Sequence, residues 1–239
     1  MSSQTKALIF DFDGLILDTE MPEFVAWSEI YDEHGCEFDL NEWAQSLGRA
    51  WHYFSPYDDI EAKLGRPVDR ASIRARKKAR FVELIAEEDL LPGVADYLAD
   101  GKRLGLKMAI ASSSSREWIV EHLSRFEIER LFDAICCVDD VANAKPDPEL
   151  YLRALDALGV ASEEAIALED SPNGILAAQR AGIYCVAVPN PVTRQFDLSG
   201  ADMRLKSLSD LSLTELIAFV EKDVTTRASG AKPGIAGER

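Results

Sequence analysis

Short apolar runs of strand length recur along this chain between longer stretches of helical period: KALIF (6–10), LKMAIA (106–111), AICCV (134–138), AIAL (165–168) and YCVAV (184–188). Runs apolar on both faces and separated by amphipathic segments predict a parallel sheet covered on both sides by crossover helices, a Rossmann-like α/β core. The helix ends are marked as well. Pro92-Gly93 opens a helix that closes near Asp100-Gly101, Ser115 caps another that reaches about Phe126, and Asp147-Pro148 begins a third that stops at Gly159. Ser171-Pro172 starts a fourth, with Gly182 just past its end.

The first strand behaves differently, because no second sheet strand follows it until residue 106. The stretch 18–88 is helical in pattern and rich in aromatics (Phe24, Trp27, Tyr31, Trp43, Trp51, Tyr53, Phe54, Tyr57). It predicts a helical cap domain inserted into a core formed by 1–17 and 89–221. Beyond about Glu221 the hydrophobic period fades, and 222–239 is expected to be a flexible tail.

The strand ends carry the chemistry. The first ends in Asp11-Phe12-Asp13-Gly14, the second in Ala111-Ser112-Ser113 and the fourth in Glu169-Asp170, with Lys145 just before a helix. In a parallel sheet these groups converge on the edge beyond the carboxyl ends of the strands, where ligands of such sheets bind. Carboxylates crowded there cannot all ionise unless a cation joins them. An all-oxygen donor set without His or Cys favours Mg²⁺, which takes a few carboxylates, waters and a substrate phosphate. Side chains at i and i+2 of an extended segment point the same way, so Asp11 and Asp13 face one reactant while Phe12 turns into protein. One can attack phosphorus to give an aspartyl phosphate, and the other can protonate the leaving oxygen and then activate water. Gly14 lets the chain turn away.

Charge narrows the choice of partner. Across 239 residues, 26 Lys and Arg stand against 42 Asp and Glu, a formal net charge of -16, which repels nucleic acid and anionic membrane surfaces. A phosphate site in such a chain needs local cations, which Lys145 and the metal supply. No stretch approaches the roughly 18 apolar residues of a membrane span, and MSSQTK lacks a signal-peptide pattern, so a cytoplasmic address is expected. The four cysteines, two of them adjacent as Cys136 and Cys137, match neither a disulfide framework nor a zinc spacing and are read as small core residues.

Four motifs in order, DFDGLILDTE, IASSSS, AKPDPE and ALEDSPNGILAAQRAG, resemble those of the haloacid dehalogenase superfamily, in the capped branch that includes β-phosphoglucomutase and phosphoglycolate phosphatase. The resemblance covers residues 6 to about 220. It implies that Asp11 is the nucleophile, Asp13 the acid/base, Ser112 a phosphate hydrogen-bond donor and Lys145 the lysine that neutralises phosphate. It further implies that Asp170 is a metal ligand, Glu169 a second ligand or its support, and the backbone carbonyl of Asp13 a further ligand to Mg²⁺. Dehalogenase relatives lack the second aspartate and the metal, so phosphate chemistry is expected. The substrate implied is a small phosphorylated metabolite such as a sugar phosphate. The alternative is a phosphomutase, but the mutase carries a histidine where this chain has Glu23. A non-catalytic protein on the same fold would show a damaged motif, and none of the four is damaged.

Other residues have plainer readings. Asp18 and Glu20 are expected to cap the entry of the inserted helices. Ser113, Ser114 and Ser115 read as turn and N-cap residues, with the Ser113 amide a candidate donor to phosphate. Asn173 either supports the metal or forms the turn. RASIRARKKAR reads as a solvated helix, with Arg74, Lys77 or Lys78 a candidate substrate contact and Lys77 the choice among them. Arg49 is a second such candidate. His34 and His52 are given no catalytic part.

Overall fold

A computed structural model of the chain describes residues 4–47 and 54–228. Arg49, Trp51, His52 and Tyr53 lie outside the described residues. The core is a six-stranded sheet of β1 (Ala7–Phe10), β2 (Lys107–Ala111), β3 (Ala134–Cys136), β4 (Ala165–Glu169), β5 (Tyr184–Ala187) and β6 (Met203–Arg204). All pairs are parallel and the spatial order is β3-β2-β1-β4-β5-β6. Because β1 lies between β2 and β4, chain connections leave it in both directions and open a crevice beyond its carboxyl end.

Alternation along the strands gives the sheet two unlike faces. Leu8, Phe10, Met108, Ile110, Ile166, Leu168 and Val186 pack on one face with α5 (Val94–Arg103), α6 (Arg116–Arg125) and α9 (Leu213–Ala228). Ala7, Ala109, Ala111, Ala165, Ala167 and Ala187 on the other face are small and meet α7 (Glu149–Leu158) and α8 (Pro172–Arg180). Alanines let these two helices approach closely, and the loops that open them carry Lys145 and Asp170 toward β1.

The strands and core helices fall where the apolar runs and caps predict, with three differences. The run AICCV ends as a strand at Cys136, and a 3-10 turn follows from Val138 to Asp140. The two-residue β6 is too short to carry a periodic signal. The helix α9 continues to Ala228, past the boundary expected at Glu221. Val224 still packs on the core, and Arg227 pairs with Asp202 and, at 2.7 Å, with Asp223. The apolar stripe at Leu213, Leu216, Ile217, Val220 and Val224 therefore runs one turn further than the composition of the tail suggests.

Between β1 and α5 lie α1 (Glu20–Glu33), α2 (Leu40–Leu47), α3 (Pro56–Leu64) and α4 (Arg70–Glu87). Trp27, Ile30, Tyr31, Ile60 and Ile73 form a buried cluster of their own there. The two segments that join these helices to the sheet run side by side: Leu17 bridges Leu90, and the Leu91 amide donates to the Ile16 carbonyl at 3.0 Å. Arg125 of α6 donates to the carbonyls of Ile85 (2.6 Å) and Glu88 (2.7 Å), tying down the end of α4. On the other side Trp43 and Ala44 of α2 pack on Val192, in the loop after β5.

Candidate active site

The end of β1 brings Asp11 between two loops. Its Oδ1 accepts a hydrogen bond from Lys145 Nζ at 2.6 Å, and the same ammonium donates to Glu169 Oε1, also at 2.6 Å. The Tyr151 hydroxyl, from the first turn of α7, donates to that Glu169 oxygen at 2.6 Å. Asp11, Glu169 and Asp170 each place a carboxylate oxygen within 4.8 Å of the others, and all three are buried.

Close approach makes two glycines necessary. Gly14 has φ +78°, and a Cβ there would lie 2.3 Å from Asp170 Oδ2. A Cβ on Gly174 would lie 1.9 Å from the carboxyl atoms of Glu169, which sits over the first turn of α8. That turn is capped by Ser171, whose hydroxyl accepts from the Gly174 amide at 3.2 Å.

Three carboxylates against one ammonium leave surplus negative charge in a dry place. Burial, and then Glu169, push Asp11 up to about 7 despite the opposing pull of Lys145. Asp170 is raised well above the usual carboxylate range by burial and by Glu20, Asp11 and Glu169. Burial works against the charge of Lys145, but Asp11 and Glu169 outweigh it and hold the ammonium above its ordinary pKa. Oxygen donors whose ionisation is held back for want of positive charge are a fitting set for a hard divalent cation.

Asp13 stands apart from this cluster. Its Oδ2 accepts from the Ser114 hydroxyl at 2.5 Å and from Ser112 at 3.4 Å, and its Oδ1 from the Trp118 indole at 2.9 Å. Ser112 is buried and its hydroxyl also accepts from the Ser114 amide at 3.0 Å. Ser113 is exposed.

The structure thus gathers Asp11, Lys145, Glu169 and Asp170 at one point and sets Asp13 and Ser112 beside it. Lys77 is engaged elsewhere: its ammonium pairs with Glu23 and lies 5.1 Å from the Phe81 ring centroid and 5.9 Å from that of Trp27. Arg74, Lys78 and Asn173 are exposed. Asp18 caps α1 as expected, accepting from the Met21 amide at 3.0 Å. Glu20 does not share that task. Its Oε2 accepts from Asn190 Nδ2 at 3.3 Å, and burial with Asp13 and Asp18 nearby pushes its carboxyl up to about 8.

Sequence reasoning missed three residues here, and gave a fourth, Ser114, only a turn role. Asn190 donates to Asp170 Oδ2 at 2.9 Å and to the Gly14 carbonyl at 3.3 Å, while its own Oδ1 accepts the amides of Val192 and Thr193. Tyr151 and Trp118 are likewise unmarked by any spacing. The one available signal is position: Asn190 follows the fifth strand, and so lies at the sheet edge where the other strand ends converge.

The profile of a family described as haloacid dehalogenase-like hydrolase matches residues 8–188. The protein YhcW of Bacillus subtilis is 42% identical over 212 residues, spanning 89% of this chain and 96% of its own. The β-phosphoglucomutase of the same organism is 33% identical over 215 residues, 87% of this chain and 92% of its own. A crystal structure of a CbbY variant from Rhodobacter sphaeroides in complex with xylulose-(1,5)bisphosphate is similar at 34% identity and TM-score 0.68, covering 89% of this chain and 99% of that one.

Proposed function

The chain belongs to the haloacid dehalogenase-like hydrolase family, and from that premise we propose that it is a Mg²⁺-dependent phosphatase of a small phosphorylated metabolite, a sugar phosphate by preference, acting through an aspartyl phosphate on Asp11. The observation that carries this reading is the Asp11 carboxylate at a strand end, 2.6 Å from the buried Lys145 ammonium, with Asp13 two residues on. The xylulose bisphosphate bound to the CbbY relative supports a phosphorylated sugar as the substrate class.

Asp11 and Asp170, with the Asp13 carbonyl, would hold the metal, and Glu169 serves as support because its Oε1 already accepts from both Lys145 and Tyr151. When bound, the cation draws charge from the phosphoryl oxygens and keeps Asp11 ionised for attack. Lys145 neutralises a second phosphoryl oxygen from a position that Glu169 fixes. The Ser112 hydroxyl and the Ser113 amide, at the end of β2, donate to a third. Asp13 protonates the departing ester oxygen and, in the second half, takes a proton from the water that attacks the aspartyl phosphate. The inserted helices act as a cap over the cleft, keeping bulk water from the first step. Lys77 is the cap residue offered to the substrate, leaving Glu23 for an anionic group when the substrate enters, and Arg49 is the second.

Hydrolysis is preferred to phosphoryl return because Glu23 stands where the mutase has its histidine, and its Oε1 accepts from the Trp27 indole at 3.2 Å. The test is an Mg²⁺-dependent assay of wild type and Asp11→Asn against a panel of phosphate esters, with β-glucose 1-phosphate followed for both phosphate and glucose 6-phosphate. Phosphate release by wild type, abolished in Asp11→Asn and by EDTA, supports the reading. Glucose 6-phosphate without release replaces it with a mutase, and activity that survives in Asp11→Asn removes the aspartyl phosphate.

A further inference from the structure

Asp13 is held by a group that none of the four motifs predicts. The Trp118 indole N–H donates to Asp13 Oδ1 at 2.9 Å, while Oδ2 is met by the Ser114 and Ser112 hydroxyls. The two kinds of donor are not equivalent. An indole N–H can only donate, so Oδ1 must stay an acceptor; a hydroxyl rotates and can accept as well as donate. Oδ1 is thus committed as an acceptor to a donor that cannot reverse, whereas the partners of Oδ2 can turn to accommodate a proton there.

The indole is itself locked in place. Phe81 of α4 stacks on it at 5.9 Å between centroids and 22° between planes, and His122, one turn further along α6, meets it edge-on at 4.2 Å and 74°. Neither ring nitrogen of His122 has a hydrogen-bond partner among the described residues. The ring instead lies nearly parallel to Phe12, at 6.3 Å and 29°. His122 is thus a flat spacer between the residue that separates the two aspartates and the indole that grips the second. Burial, with Arg125 nearby, holds it below its usual pKa, which favours the uncharged ring beside Asp13.

We propose that Trp118 is a positioning residue for the reaction: its indole N–H pins Oδ1 of Asp13 so that Oδ2 is the single oxygen that carries and passes the proton. In the first step the ester P–O bond breaks as the bond from Asp11 to phosphorus forms, and the proton on Oδ2 goes to the departing oxygen. In the second step water attacks phosphorus as the bond between Asp11 and phosphorus breaks, freeing the Asp11 carboxylate and inorganic phosphate, and Oδ2 recovers a proton from that water. The inference rests on the acid/base role of Asp13 proposed above, and the test keeps the two separable.

The assay compares kcat/KM for phenyl phosphate with that for p-nitrophenyl phosphate, two esters of similar shape whose leaving oxygens differ in their need for a proton. Trp118→Phe keeps an aromatic ring against Phe81 and His122 but removes the N–H. It should lower kcat/KM for phenyl phosphate about tenfold, a part of the ~10² to 10⁴ that a placed acid contributes, with the p-nitrophenyl ester changed about twofold or less. Asp13→Asn should shift the ratio in the same direction and further. Equal loss on both esters in Trp118→Phe, or no loss, beside a shifted ratio in Asp13→Asn, overturns the role of Trp118 alone. An unshifted ratio in Asp13→Asn overturns the acid role of Asp13 and the inference with it. If Trp118→Phe fails to fold, benzothienylalanine at 118 replaces only N–H by sulfur and is judged by the same ratio. In ¹⁵N spectra the indole N–H signal of Trp118, assigned by its loss in Trp118→Phe, should move in Asp13→Asn; a fixed signal refutes the hydrogen bond.

Discussion

Metal-free protein should lose stability as pH rises from mildly acid to mildly alkaline, the reverse of the behaviour given by ordinary paired carboxylates. Asp11 goes from 3.8 to about 7 on folding, chiefly through burial. A carboxyl whose folded pKa is raised binds its proton more tightly in the native state, so it favours the fold fully below its unfolded value and loses that contribution as pH climbs through the folded one. The whole shift corresponds to at most about 4 kcal/mol at ~1.4 kcal/mol per pH unit. Between about pH 5.5 and about pH 7 roughly 2 kcal/mol of it is lost, or on the order of 4 to 8 °C in Tm for a chain of this size. Asp170 and Glu20 are raised too and add in the same direction. His122, lowered by burial, works against them below its unfolded value of 6.5, gaining stability as pH rises to that point. The decisive observable is therefore the difference between wild type and Asp11→Asn, melted in EDTA at about pH 5.5 and about pH 8. Asp11→Asn should flatten the slope, and Mg²⁺ should raise the wild-type Tm more at the higher pH, because there it no longer displaces protons. A wild-type slope equal to that of Asp11→Asn, or an Mg²⁺ shift independent of pH, would refute the account of the carboxylate cluster.

Lys145→Met should reduce kcat by about 10²-fold or more, the scale seen when a preorganised electrostatic group is removed; a KM effect with kcat intact would show that the lysine only binds. Gly174→Ala forces the Glu169 carboxyl off Lys145 and Tyr151, since the new methyl would sit 1.9 Å from it. It should cost about 1–3 kcal/mol in denaturant titrations and lower activity, whereas an unchanged midpoint would mean that Glu169 has another rotamer at hand. Lys77→Met should raise KM for sugar phosphates and leave kcat nearly unchanged, with a stability cost of about 1 kcal/mol or less for the lost pair with Glu23. An unaltered KM would leave the lysine as a tie between α4 and α1.

What the sequence made legible was whatever repeats or lies close along the chain. Buried strands announce themselves as apolar runs, helices by caps such as Ser115 and Ser171, and the alternation Asp11-Phe12-Asp13 marks Phe12 as the residue that turns into the core. Lys145 and Glu169-Asp170 were placed by a rule of topology: parallel strands deliver their carboxyl ends to one edge. Side-chain partnerships between distant segments have no such periodic signal. Tyr151 and Glu169, or Asn190 and Asp170, meet only after the sheet order is set, and nothing local distinguishes Trp118 from an ordinary helix aromatic. Glu20 shows why even a nearby residue can mislead. Asp18 and Glu20 both read as helix-entry carboxylates, and one cap position needs only one of them; Asp18 takes the Met21 amide, so Glu20 is released toward Asn190 and the buried charges. The second carboxyl of that pair, half-buried, is then pushed up to about 8 by desolvation and by Asp13 and Asp18. The local pattern was read correctly as a cap, and the error lay in assigning two residues to a site that holds one.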